Sequence, residues 1–225
     1  MPPVVERFAR WRLFAWLAFV LAFAVLGYAS RFADTKTPDD LAYRYSSSIA
    51  AVVQYAFMLG ILLLIARGLP KREVFALHRP ASWPRALGYT AAALVAIWIV
   101  GGALSPFLDA TDEQGLVPKG WDSSRAGAFI AFFVAVTVLA PIVEELTYRG
   151  LGFTLLAPYG QTTAIVVTGV LFGAAHGLLL ALPVLVAFGI AVAWVRARTG
   201  SVYPGMLLHG TFNGVALLAS VFFLG

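Results

Sequence analysis

Residues 126–143 read AGAFIAFFVAVTVLAPIV, eighteen residues without a charge, and the next two are Glu144 and Glu145. A run of that length and apolarity is long enough to enter the hydrocarbon core of a bilayer as a helix. Two carboxylates at its end are then out of place. Each would cost roughly 2.5–3.5 kcal/mol at mid-membrane unless paired, protonated or wetted. Pro141 lies inside the run, just before the carboxylates. It lacks an amide donor, so it should loosen the helix there, which suits an element that lines a cavity.

Working outward, residues 13–30, 45–66 and 86–108 are also uncharged, and after Gly150 the only charged or titratable side chains besides tyrosines are Arg196, Arg198, His176 and His209. Of the 225 residues 60% are hydrophobic and 12% charged, about half the charge of an ordinary soluble domain. The reading is an all-α polytopic transmembrane bundle of about seven helices, with eight as the alternative count. The expected spans are 12–30, 46–66, 86–108, 124–156, 161–181, 184–198 and 203–224. No long polar segment is left for a soluble domain, so residues 1–225 form a single membrane domain. The first apolar run exceeds a usual signal core and reads as a retained anchor.

There is no cysteine, which excludes disulfides, thiolate nucleophiles and Cys-ligated zinc. The net charge of +5 sits mostly in short loops, a signature of topology rather than of nucleic-acid binding. Lys71, Arg72, Arg79 and Arg85 make the loop after Arg67 cytoplasmic, and the N-terminus with it. Asp109, Asp112, Glu113 and Asp122 place the loop before Arg125 outside. The partner is the lipid bilayer of the cell membrane, with no nucleic acid.

Nine of the eleven acidic residues lie in the N-terminal tail or polar loops; Glu144 and Glu145 do not. Arg149 follows Glu145 by four residues, so the two share a helix face and can pair. Glu144 is rotated about 100° away and stays available as a base, with Thr147 and Tyr148 expected along the same cavity. His78 falls in the basic loop and reads as a solvated side chain. His176 and His209 fall in apolar stretches, and Asn213 shares the face of His209. The small-residue stripe Gly169, Gly173, Gly177 would let another helix come close. Counted from the Pro158–Gly160 turn, Glu144 and His176 reach similar heights in a helical hairpin, so they can meet.

A carboxylate beside a neutral imidazole can hold a water and take its proton. A second histidine and an amide can donate to the oxyanion that forms on a carbonyl. Peptide hydrolysis by activated water fits this set. Glu144, His176 and His209 could instead hold Zn2+ and its water, and the H-E-x-x-H spacing of soluble zinc proteases is absent. Readings from other classes are a proton- or cation-coupled transporter and a non-proteolytic immunity or scaffold protein.

Three motifs stand in order: Glu144-Glu145-Leu-Thr-Tyr-Arg149, Phe172-Gly-Ala-Ala-His176 and His209-Gly-Thr-Phe-Asn213. Together they resemble the CAAX protease and bacteriocin-processing family of intramembrane proteases, also called type II CAAX prenyl endopeptidases, over about 126–222. The resemblance implies an all-helical, usually eight-span protease. In it Glu144 and His176 activate water, His209 and Asn213 form the oxyanion site, and Glu145 and Arg149 support them. It also implies a membrane-associated peptide as substrate, a prenylated C-terminus being the family's best-known one. The family is commonly catalogued as metalloproteases, and a metal-free, glutamate-dependent mechanism is also proposed for it.

Overall fold

The computed structural model describes residues 10–31, 40–108, 118 and 120–222. Asp109, Asp112, Glu113 and the N-terminal tail, on which part of the expected topology rests, lie outside the described residues. Among the described residues eight helices follow one another: α1 (Arg10–Arg31), α2 (Tyr45–Ile65), the single turn α3 (Lys71–Val74), α4 (Trp83–Leu104), α5 (Ser123–Tyr159), α6 (Gln161–Ala175), α7 (Leu182–Thr199) and α8 (Tyr203–Phe222). The chain is an all-helical, multi-pass bundle. Six of these helices are long and apolar enough to cross a membrane.

The expected span 161–181 is shorter than its apolar run. Helix α6 stops at Ala175, after 15 residues, about 22 Å of helix against a hydrocarbon core of about 30 Å. Gly177 turns with a positive φ of 65°, and Leu178–Ala181 are not helical. Hydropathy alone does not register such a break, since the loop Leu178-Leu179-Leu180 is as apolar as the helix before it. The loop packs on α1, where Tyr28 Oη donates to the Leu178 carbonyl at 3.4 Å and Gly177 lies against Gly27.

The glycine stripe does what its spacing suggested. A Cβ on Gly169 would meet the backbone nitrogen of Ile190 at 2.7 Å, and one on Gly173 would meet Val186 at 2.7 Å. Only hydrogen fits there, so α6 and α7 cross in backbone contact. Gly160, at φ 112°, makes the sharp turn between α5 and α6.

Helix α5 is not regular. It widens into π turns at Ala135–Leu139 and Leu146–Gly152. Pro141 explains the first, since it offers no amide to the carbonyls one turn below it. In a bilayer the freed acceptors need protein donors, and other helices supply them. Asn213 Nδ2 donates to Val136 O at 3.0 Å, the Trp16 indole to Thr147 O at 3.0 Å, and Arg196 Nε to Arg149 O at 3.1 Å.

The core lies around α5 and holds Trp16, Leu62, Leu151, Phe172, Val192 and Leu208. Large apolar side chains such as Phe14, Val25, Ile49, Val53, Phe57 and Ile99 instead face outward, a surface that suits lipid rather than water. Basic residues gather at one end of the bundle. There Arg12 donates to the carbonyls of Ile65 and Arg67, the loop with Lys71, Arg72 and Arg79 follows, and Val202 N bonds Ala76 O. The other end carries an exposed network in which Arg125 bonds Asp40 and Asp122, each at 2.6 Å, and Arg44 bonds Asp40.

Candidate functional site

The two adjacent glutamates have different surroundings. Glu145 is fully buried, and so is Arg149. Their ion pair, Nη1 to Oε1 at 3.0 Å, spans the four-residue spacing seen in the sequence. The second Arg149 nitrogen, Nη2, donates to the Gly189 carbonyl at 2.7 Å, and the guanidinium lies 4.6 Å from the centre of the Phe172 ring. Glu145 Oε1 also accepts from His209 Nδ1 at 3.1 Å. That contact holds the His209 ring in one orientation. Gly205 keeps the pocket open, for a Cβ there would stand 2.9 Å from Glu145 Oε2.

Glu144 takes no part in that pair. Its Oε2 stands 3.8 Å from His209 Nε2, and its side chain keeps 13% exposure. A separation of 3.8 Å exceeds a direct hydrogen bond and is one that a single water about 2.8 Å from each atom could span. Its Oε1 accepts from the Tyr55 hydroxyl at 2.7 Å. Tyr55 is midway along α2, ten residues from either end, about 15 Å of helix each way. That places the carboxylate deep within the span.

His176 caps the C-terminus of α6. Its Nδ1 bonds the Phe172 carbonyl at 2.8 Å, and because a carbonyl only accepts, that nitrogen is the donor. His176 is half-buried, and among the described residues it forms no ion pair or hydrogen bond with Glu144. What joins it to His209 is Phe172, whose ring centre lies 4.7 Å from His176 and 5.5 Å from His209. Phe188 closes the other side of His209 at 5.0 Å. The Phe-x-x-x-His spacing therefore does two things: the backbone of Phe172 fixes the histidine's tautomer, and its ring forms the floor between both imidazoles.

Asn213 is tied to α5 rather than to the glutamates or histidines. One hydrogen of its amide goes to Val136 O, and among the described residues the second makes no hydrogen bond. Thr147 does not line the cavity as expected. It is fully buried, with Oγ1 turned back on the Val143 carbonyl at 2.8 Å. A β-branched hydroxyl that satisfies its own turn is a common fate inside a helix. Tyr148 is buried between Trp16 and Phe172. His78 is exposed in the basic loop, as expected.

The zinc ligand set is not assembled in this arrangement: among the described residues no three His, Asp or Glu side chains converge on one point. Each histidine has committed Nδ1, and His209 faces two carboxylates from different nitrogens. A group the sequence did not single out is Tyr55. The signal was a phenol at the centre of an apolar span, where a hydroxyl needs a partner.

Residues 126–215 match the model of a protein family described as Type II CAAX prenyl endopeptidase Rce1-like. No curated protein and no solved structure matches the chain.

Proposed function

We propose, from the match of residues 126–215 to the Rce1-like model of type II CAAX prenyl endopeptidases, that the chain is an intramembrane endopeptidase driven by a Glu144-activated water. The observation that carries the reading is the division of labour between neighbours. Arg149 neutralises Glu145, while Glu144 faces His209 across 3.8 Å with one oxygen unpaired by any guanidinium.

In the proposed reaction a water held by Glu144, with His176 Nε2 as a further acceptor, attacks the scissile carbonyl as Glu144 takes its proton. The oxyanion is met by His209 Nε2–H and by the free amide hydrogen of Asn213. Glu144 returns its proton to the leaving amine. Phe172 and Phe188 keep bulk water from the imidazoles, which strengthens each of these interactions. The substrate is a membrane-associated peptide, with a prenylated C-terminus as the finer proposal. Zn2+ enters no step here, because the donors are not gathered around one point.

The test compares peptide products from membranes that contain wild-type protein and Glu144→Ala, each with and without a chelator. Cleavage that disappears in the variant and survives the chelator is the expected result. Loss of cleavage with the chelator would show a metal in the reaction. A pH-gradient-driven flux in vesicles without any cleavage would support the transporter reading instead.

A further inference from the structure

We propose that Tyr55, contributed by α2 and outside the 126–215 segment that matches the family, is a positioning residue for Glu144. This rests on the proposed function and extends it to a helix that the family match does not reach. Three observations on the page carry the inference. The Tyr55 hydroxyl donates to Glu144 Oε1 at 2.7 Å, a full-strength length for a hydroxyl donor. It is the one hydrogen bond that the Glu144 carboxylate makes among the described residues. The contact also lies at the centre of α2, about 15 Å of helix from either end and so far from any lipid headgroup.

The geometry gives that bond a specific consequence. A carboxylate at the end of a glutamate side chain rotates broadly about its last torsion. Fixing Oε1 on Tyr55 leaves Oε2 as the oxygen that faces His209 Nε2 at 3.8 Å. Without the phenol both oxygens would swing, and the water's proton acceptor would spend most of its time misdirected. A single hydroxyl thus selects which oxygen works as the base. The same bond ties α2 to α5, so it also contributes to the docking of the first spans on the motif-bearing helices.

Tyr55→Phe removes one oxygen and keeps the ring. In reconstituted vesicles it should lower kcat on the order of tenfold, a fraction of the 10²–10⁴ that a positioned base supplies, with KM changed less than about twofold. A role confined to packing would leave kcat unchanged. In parallel, a thermal-stability cycle of Tyr55→Phe, Glu144→Gln and the double variant needs no substrate. The two single shifts should fail to add by about 2–4 °C in Tm, the signature of a direct bond. Additive shifts, or a Tyr55→Phe enzyme with wild-type kcat, would overturn the inference. Should Tyr55→Phe not accumulate, the carboxylate stretch of Glu144, read as the infrared difference between wild type and Glu144→Gln, decides the same point: a free rather than hydrogen-bonded carboxylate refutes it. If wild type itself cleaves nothing, the proposed function fails while the stability cycle still decides the contact.

Discussion

The ion pairs at the far end of the bundle and those at its centre use the same side chains in opposite surroundings. Asp40, Arg44, Asp122 and Arg125 form a network with contacts of 2.6 Å, shorter than the 3.0 Å between Glu145 and Arg149. By distance alone the first group looks stronger. Yet its side chains are a third or more exposed, where water and salt replace whatever is lost. Glu145 and Arg149 are wholly buried, and nothing can replace either partner. The lesson is that burial, not contact distance, sets how much each pair matters.

Substitutions sharpen that contrast. The largest stability effect should follow Arg149→Met, which leaves Glu145 buried and unneutralised at a cost of about 3–5 kcal/mol. Membrane yield and Tm in detergent measure it, and Glu145→Gln on top should recover part of the loss. A Tm unchanged by Arg149→Met would mean that the central pair behaves like a surface one. Next comes Gly189→Val, whose side chain would be driven into the backbone of Gly169, an overpacking cost of about 1–3 kcal/mol or more. Asn213→Ala should follow closely. It removes the donor to Val136 O and leaves a carbonyl bare at membrane depth, about 1–3 kcal/mol, and it should also lower kcat if the second amide hydrogen serves the oxyanion.

The smallest effect belongs to the exposed network. Asp40→Asn should leave Tm unchanged, and added salt should weaken no more than this end of the protein. Its pH response is equally confined. Hydrogen bonds from Ser124 and then Arg125 hold the Asp122 carboxyl at about 2, below the ordinary 3.8. A depressed carboxyl stabilises the folded state fully above its unfolded value, and that contribution fades only as pH falls from near 4 through about 2. Tm measured from pH 7 to 5 should therefore show no step from this group.

The same contrast explains what could be read in advance. Charges inside apolar runs are conspicuous in a sequence because lipid tolerates them so poorly, so Glu144, Glu145, Arg149, His176 and His209 were legible one by one. Their spacing further gave the Glu145–Arg149 pair and the α5–α6 hairpin. The glycine stripe likewise gave the close crossing of α6 and α7. The break after Ala175 was hidden because Leu178, Leu179 and Leu180 are as apolar as a helix. The π turns were only half visible: Pro141 announced a weakness, but the donors that repair it come from Trp16, Arg196 and Asn213, each remote in sequence. Tyr55 was half visible for the same reason: a phenol at the centre of an apolar span needs a partner, but that partner is 89 residues away.

The central claim is that one of two neighbouring glutamates does chemistry while the other holds the structure. Its most direct test is the rate of peptide cleavage by purified, reconstituted wild-type protein and Glu144→Gln, with Tm recorded for both. Cleavage should fall by about 10²-fold or more while Tm moves by no more than about 4 °C. Full cleavage by a well-folded Glu144→Gln protein would contradict the account.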